Sequence, residues 1–279
     1  MRAAPGSQRC AGRRSPPAAV VAALVLLAAG GAAAQAPARA GPVELSGATR
    51  VELDDARGIW RAEGAPVELV RDGARLRAPR LRYDARAGVV AAEGGVEVAA
   101  PGVEARAERA ELRLADEWLR ASGDVRLTAT QGEVRVRAPE VQGSLRTRRF
   151  VATGGVALAR GEAVLTGRRV DYDDGARTAI ATGEPELRLR ETRLQAQTLV
   201  LLVDQERITG EGDVRVRRGD LLATAPRVDL RLREGAATLA GGARAQRGGD
   251  VIVAEEIVVA LDGSSIVARG SPRLTVTTP

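Results

Sequence analysis

Apolar and charged residues alternate along most of this 279-residue chain. The segments Val96 to Val98, Val125 to Leu127 and Val134 to Val136 each place a charged residue between two apolar ones. A period of two predicts a β-strand with one wet face and one dry face. The 32 glycines and 13 prolines punctuate these segments, so the pattern predicts an all-β protein.

The alternating segments repeat at a nearly constant spacing. A glycine opens successive copies 30, 29, 31, 29, 29, 29 and 29 residues apart, at Gly64, Gly94, Gly123, Gly154, Gly183, Gly212, Gly241 and Gly270. An apolar column keeps the same rhythm at Val51, Leu81, Ala110, Val141, Val170, Leu199, Val228 and Ile257. Two columns in register predict about eight repeats of about 29 residues, stacked as one domain over residues 41–279.

The parity of the apolar positions changes at the Ala-Pro pairs that end in Pro79 and Pro139. Leu76 and Ala78 occupy even positions, whereas Leu81 and Tyr83 occupy odd ones. A strand that bends or bulges at this point turns its dry face from one sheet to another, and proline suits such a corner because it lacks a ladder donor. The repeated glycines supply a second corner. We therefore predict an elongated antiparallel β-jellyroll of two facing sheets, with about two long, bent strands per repeat.

The N-terminus has the three parts of a secretory signal. A basic segment from Arg9 to Arg14 precedes the apolar run Ala18 to Ala29, and the small residues Ala32 to Ala34 offer a cleavage site. We expect residues 1–34 to be a cleaved signal peptide and residues 35–40 a linker. The alternative is an uncleaved membrane anchor, although the run is short for a span of about 20 residues. Cys10 precedes the apolar run, which excludes a lipoprotein site.

Composition excludes most chemistry. Without residues 1–34 the charge balance is 38 − 36 = +2, and the two signs are interspersed, which gives no indication of nucleic-acid binding. That part of the chain has no Cys, His or Lys, so the usual nucleophiles, bases and soft metal ligands are missing. We expect no enzyme activity, no metal site and no cofactor.

One acidic segment could still carry chemistry. Asp171 to Gly175, "DYDDG", could be interpreted as a calcium site or a glycosidase pair. However, Asp54, Asp84 and Asp173 all follow an apolar column residue where a turn begins, and aspartate is favoured there because it caps turn amides. We predict a turn role. Tight turns are also predicted at Asp72-Gly73, Asp174-Gly175 and Asp262-Gly263, and a turn at Gln131-Gly132.

The facing apolar columns are the remaining feature that could carry a function. They can close as a dry core, or stay apart as an elongated groove that holds acyl chains. The candidate lipid-binding positions are Val67, Leu69, Leu81, Tyr83, Val96, Val98, Val125, Leu127, Val134, Val136, Val141, Val156, Leu158, Val170, Tyr172, Leu199, Val214 and Val228. At the two ends of the stack, Val43 to Leu53 and Leu274 to Val276 are predicted edge strands, and such edges favour strand addition.

The repeats resemble the OstA-like domain of the lipopolysaccharide-transport (Lpt) proteins. The resemblance rests on the "A-x-x-V/L-x-L/Y-D", "A-x-G-x-V" and "L-x-A-x-x-L-x-Y-D" strands, seen in Val43 to Asp84, Ala152 to Asp173 and Thr209 to Leu230. It implies a periplasmic β-jellyroll in which lipid A acyl chains of lipopolysaccharide lie between two sheets. It also implies end-to-end pairing with other Lpt jellyrolls or with copies of itself, which forms a bridge from inner to outer membrane.

Three alternatives remain open from the sequence. A retained N-terminal anchor would make the chain a C-type component of the same system, rather than the bridging A-type. A structural or adhesive β-solenoid would use the same columns only as a core. An exported carbohydrate-active enzyme would use Asp171 or Asp173, although a fold alone cannot argue an activity.

Overall fold

The protein is all-β. The computed structural model describes residues 44–71, 74–100, 103–129 and 134–277, and these contain strands and turns without a helix. The predicted signal peptide and linker, residues 41–43, and the predicted turns Asp72-Gly73 and Gln131-Gly132 lie outside the described residues. The strands within that part are β1 (Glu44–Asp54), β2 (Ile59–Arg71), β3 (Ala74–Asp84), β4 (Val89–Ala100), β5 (Val103–Arg113), β6 (Trp118–Ala129), β7 (Val134–Ser144), β8 (Arg149–Arg160), β9 (Ala163–Asp173), β10 (Thr178–Thr182), β11 (Glu186–Leu189), β12 (Thr192–Gln195), β13 (Thr198–Leu202), β14 (Arg207–Arg218), β15 (Leu221–Arg231), β16 (Ala236–Arg247), β17 (Asp250–Ala260), β18 (Ile266–Arg269) and β19 (Arg273–Thr275).

These strands form one antiparallel sheet in which neighbours in sequence are neighbours in space. Each strand from β1 to β9 pairs with the next, and β14 to β17 continue the same order. In the middle of the sheet, two long strands are each broken in two. The first is divided into β10 and β11, which both pair with β9, and the second into β12 and β13, which both pair with β14. The predicted antiparallel jellyroll is confirmed, whereas the number of repeats stays a prediction.

The long strands bend near their midpoints, as the parity change predicts. The pairing register shifts once in every ladder from β2 to β9 and from β14 to β17. In β3 the buried residues are Ala74, Leu76 and Ala78 before Pro79, and Leu81 after it. The bend therefore folds the sheet into two halves that turn their dry faces towards each other.

The repeated glycines lie at these bends, opposite the corner residues of the preceding strand. A Cβ on Gly94, Gly154 or Gly241 would lie 3.2, 2.9 or 3.5 Å from the Cγ of Pro79, Pro139 or Pro226, each 15 residues earlier. Gly154 also has a φ of 90°. Because both the φ and the space disfavour a side chain, glycine is required at this corner.

The two halves differ in their turns. In one half, two-residue turns at 161–162, 190–191 and 219–220 join the strands; we name it the short-turn half. In the other, four-residue turns such as 114–117 and 174–177 join them; we name it the long-turn half. Each long turn donates a backbone hydrogen bond to the one before it, for example from Leu114 N to Gly88 O at 2.8 Å and from Val203 N to Arg177 O at 3.0 Å. This ladder fixes the spacing between successive long turns.

Candidate functional site

The predicted interior columns lie inside the folded sheet. Of the eighteen candidate positions, all but Tyr83 are buried or half-buried, and Tyr83 has 37% of its surface exposed. Most belong to one apolar cluster that runs from Ala62 to Val259 through both halves. The structure therefore shows the burial of these positions, and their lipid-binding role stays a prediction.

The interior opens into an apolar cavity between the two halves at the N-terminal end. Its volume is about 500 Å³. The short-turn half contributes Leu45, Leu69 and Leu76. The long-turn half contributes Val51, Trp60, Ala62, Leu81, Tyr83, Val90, Ala92, Ala110, Leu112, Leu114 and Leu119. The charged residues at its lining are Arg61, Arg82 and Glu111.

The cavity leaves large apolar side chains in contact with solvent. The exposed fractions are 44% for Leu45, 56% for Val51, 48% for Trp60 and 39% for Leu114. A group of such residues around one opening is characteristic of a binding site for an apolar molecule or surface. Trp60 therefore contributes to the cavity wall, whereas Phe150, with 4% exposed, fills the core.

Further along the stack, the same columns are closed by the protein itself. Leu165, Leu199, Leu221, Leu239 and Ile257 each expose 1% or less of their surface. Their side chains occupy the space between the halves, so this stretch is a packed core. The interior is thus open at one end and filled at the other.

Polar contacts join the edges of the two halves beside the packed stretch. The Arg218 guanidinium, at the end of a short-turn strand, donates to the carbonyl of Leu261 in a long turn and lies 3.1 Å from the Glu191 carboxylate. Thr192 Oγ1 donates to the same carbonyl at 3.4 Å, and Arg247 Nη2 donates to the carbonyl of Gly263 at 3.4 Å. We name these contacts the seam. It closes the mouth between the halves where the core is filled.

The acidic segment at 171–175 is structural. Asp173 Oδ1 accepts a hydrogen bond from Ala176 N at 2.9 Å, just as Asp54 and Asp84 accept from turn amides at 3.1 and 2.9 Å. The backbone hydrogen bond from Ala176, assisted by Arg149, holds the pKa of Asp173 below its ordinary value. The turn role is confirmed, and the described residues contain no group of side chains suited to a metal ion.

A buried charge cluster in the long-turn half escaped the sequence prediction. Asp174 is 8% exposed, pairs with Arg148 and accepts from the Tyr172 hydroxyl at 2.8 Å. Arg177 Nη1 lies 3.3 Å from Asp174, and its Nε lies 3.2 Å from Asp204. The prediction of tight hairpin turns was wrong at two pairs, because Asp174-Gly175 belongs to a four-residue turn and Asp262-Gly263 to a five-residue connection. The sequence does contain a signal for this cluster: Asp174 is a charged residue at a position that is apolar in other repeats. Those repeats have Leu145, Val203, Leu232 and Leu261 there.

Comparisons with known proteins give a family and a set of solved structures. Residues 135–264 match the family described as "LptA/(LptD N-terminal domain) LPS transport protein". The solved structures include the crystal structure of LptH, described as the LptA homologous periplasmic component of the lipopolysaccharide transport device from Pseudomonas aeruginosa. That match has 15% identity and a TM-score of 0.39, and covers 42% of this chain and 95% of LptH. No curated protein matches the sequence.

The predicted resemblance to the OstA-like family is confirmed by the family match. The description of this family names a transport protein, which agrees with the expectation that the chain is not an enzyme. Over the described residues, no helix has the length and apolar character needed to cross a membrane.

Proposed function

We propose that the chain is a non-enzymatic periplasmic transport protein for lipopolysaccharide. The proposal builds on the match of residues 135–264 to the family described as "LptA/(LptD N-terminal domain) LPS transport protein". The protein holds lipid A acyl chains between the two halves of the folded sheet. The observation that carries the proposal is the cavity of about 500 Å³, which is apolar on both walls and continuous with the interior columns.

The physical basis is the removal of acyl chains from water. Burial of each methylene group contributes about 0.8 kcal/mol. The methylene groups of a whole acyl chain together therefore outweigh the cost of ordering the chain on binding. Leu45, Leu69 and Leu76 face the long-turn wall across the cavity, and Arg61 and Arg82 lie at its lining. A glycolipid fits this arrangement with its tails inside and its anionic head group near the arginines.

The cavity lies in residues 45–119, before the segment that matches the family. The continuity of the sheet from β1 to β19 connects the two parts. We therefore assign lipid entry or exit to the N-terminal end, and passage along the stack to the interior columns. Passage through the packed stretch requires the halves to separate at the seam.

The bridge function rests on the edge strands. Leu45 and Leu53 of β1 are 44% and 47% exposed, and beyond β17 Val267 and Leu274 are 46% and 63% exposed. β1 pairs only with β2, and β18 and β19 pair only with β17, within the described residues. Unpaired edges with apolar side chains favour end-to-end pairing with other Lpt jellyrolls or with a second copy. The proposal includes cleavage of residues 1–34, which gives the bridging A-type component. A chain that kept residues 1–34 as a membrane anchor would instead be the C-type component.

A β-solenoid without ligand is the second candidate. The packed stretch around Leu199, Leu239 and Ile257 favours it, since that part of the interior has no room for a lipid. The N-terminal cavity distinguishes the two, because a structural solenoid gains nothing from an exposed apolar opening.

Native mass spectrometry of gently extracted protein tests the proposal. We expect lipopolysaccharide to remain bound to the wild-type protein. Leu45→Arg places a charge at the cavity and should reduce the bound fraction strongly, while Leu274→Arg at the opposite end should not. Both positions are exposed, so neither variant should unfold the protein. Lipid-free wild-type protein, or equal loss in both variants, would exclude a lipid-binding cavity.

A further inference from the structure

The outer surface of the short-turn half carries an uninterrupted row of arginines. Arg188 lies directly opposite Arg193 on the neighbouring strand, and Arg193 lies directly opposite Arg217 on the next. All three are exposed. Like charges at directly opposed positions of a sheet are destabilising. A structural role therefore does not explain why three arginines share one row.

A second row of three arginines, elsewhere on the same half, shows how such a row is normally neutralised. Arg106, Arg126 and Arg137 are also directly opposite one another. There, Glu97 lies 3.2 Å from Arg106, while Asp124 pairs with Arg126 and lies 3.7 Å from Arg137.

The row at Arg188, Arg193 and Arg217 lacks this compensation. Arg188 pairs with Glu186. Arg193 and Arg217 have no salt bridge with any described residue, in contrast to the arginines of the neutralised row. The first row therefore presents positive charge to an outside partner.

Two further arginines and two exposed apolar residues extend this surface. Arg215 lies two residues before Arg217 on the same strand, and Arg244 belongs to the same row as Arg215. Leu222, 41% exposed, lies opposite Arg217, and Val253, 39% exposed, lies opposite Arg244. We name this surface the basic face: Arg188, Arg193, Arg215, Arg217, Leu222, Arg244 and Val253. Its five arginines, counted against the neighbouring carboxylates of Glu186 and Asp213, give 5 − 2 = +3.

We propose that the basic face docks on the surface of an anionic phospholipid membrane. Strands about 4.8 Å apart spread the guanidinium groups over a plane, which suits a plane of lipid phosphates. Arginine binds phosphate through paired donors, and Leu222 and Val253 can insert among the head groups beside it. Polybasic surfaces are attracted to anionic leaflets in this way.

The composition of the face favours a membrane over nucleic acid. Binding of single-stranded nucleic acid relies on aromatic side chains between basic ones, and the face has only aliphatic ones. The face is also separate from the cavity, because its side chains point away from the interior. Its role does not depend on whether the interior carries a lipid.

Vesicle co-sedimentation tests the inference with the protein isolated from the exported fraction of expressing cells. We expect binding to vesicles of phosphatidylcholine with phosphatidylglycerol, little binding to phosphatidylcholine alone, and release by added salt. The double variant R193Q/R217Q should bind on the order of tenfold more weakly. The matched variant R106Q/R137Q, in the neutralised row, should bind nearly as well as wild type. All variants keep the same N-terminal segment, so the comparison isolates the face.

A thermal melt and a DNA-binding assay complete the test. R193Q/R217Q should melt at the wild-type temperature or slightly above it, because the substitution removes repulsion between opposed arginines. Equal weakening by both double variants, equal binding to neutral and anionic vesicles, or no vesicle binding would overturn the inference. A loss of DNA binding in R193Q/R217Q with unchanged vesicle binding would also overturn it, and would identify a nucleic-acid surface instead.

Discussion

The two ends of the interior show how one repeating sequence pattern produces two different surfaces. Near β1 to β6, the apolar columns line a cavity, and Leu114 is 39% exposed. One repeat later, the matching residue Leu145 is 4% exposed, and from there to Ile257 the columns pack against each other. The residue types hardly change between the two regions. The same residue types therefore line a cavity in one region and form a closed core in the other.

The seam bridges the edges of the two halves over part of the closed stretch. At the closed end, Arg218 and Thr192 hold the Leu261 carbonyl, so the mouth between the halves is bridged by backbone acceptors and side-chain donors. At the open end, the cavity separates the halves. Because each seam contact is a hydrogen bond at a partly exposed position, each contributes only about 1 kcal/mol. Such contacts are weak enough to open and reform.

Core truncation should give the largest difference between the two ends. Leu199→Ala removes a fully buried side chain in the packed stretch and should lower the free energy of unfolding by about 2 to 5 kcal/mol. Leu45→Ala, at the cavity, should cost below about 1 kcal/mol because Leu45 is already 44% exposed. Urea unfolding measures both. Similar costs at the two positions would mean that the two ends are packed alike.

The buried charge cluster should give the next largest effect. Asp174→Ala leaves Arg177 without its buried partner and should destabilise the protein by about 2 kcal/mol. Asp204→Ala is the control, since Asp204 contacts the same guanidinium from an exposed position and should cost no more than about 1 kcal/mol. A larger loss for Asp204→Ala than for Asp174→Ala in the same urea titration would contradict the importance of burial.

Weakening the seam should open the closed end with a small loss of stability. Arg218→Ala removes the contacts with Leu261 and Glu191 and should cost about 1 kcal/mol. A photo-crosslinker at Leu239 should then capture lipopolysaccharide severalfold more often than in the wild-type background. Arg217→Ala changes the neighbouring outward-facing arginine and should leave this labelling unchanged. Unchanged labelling in Arg218→Ala would show that the seam does not control access.

Acid should slightly destabilise the turn after β17, which contains the seam acceptors Leu261 and Gly263. Hydrogen bonds from the Ser264 hydroxyl and amide hold the pKa of Asp262 below its ordinary value of 3.8. A depressed folded-state pKa means that Asp262 contributes stability above that value, and that the contribution is lost as the pH falls through the lower folded-state pKa. In Asp262→Asn, stability should depend less on pH in that range. The urea midpoint measured against pH checks this, and identical pH profiles would refute it.

Much of the fold followed from the sequence because strand physics acts locally. The repeated glycines and Ala-Pro pairs predicted the bends, and the parity change at Pro79 agrees with the burial of Leu76 and Leu81. Asp54, Asp84 and Asp173 were recognised as turn caps from their position alone. Local rules suffice for these features because each depends on residues within one repeat or its neighbour.

The state of the interior could not be predicted in the same way. Arg218 and Leu261 are 43 residues apart, and nothing in either segment indicates that the edges of the two halves meet there. The breaks between β10 and β11 and between β12 and β13 were also missed, since glycine and parity signals at these positions resemble those of the unbroken strands. The Asp174 cluster depends on contacts between residues of different repeats, at Arg148, Asp174 and Asp204, so no single Asp-Gly pair predicts it.

Photo-crosslinking to lipopolysaccharide along the interior tests the central claim most directly. A crosslinker at Leu76 probes the cavity, Leu239 probes the packed stretch, and outward-facing Arg75 is the control. We predict strong labelling at Leu76, weak labelling at Leu239 and none at Arg75. Labelling of Arg75 equal to that of Leu76, or no labelling at Leu76, would contradict a lipid-carrying interior that opens at its N-terminal end.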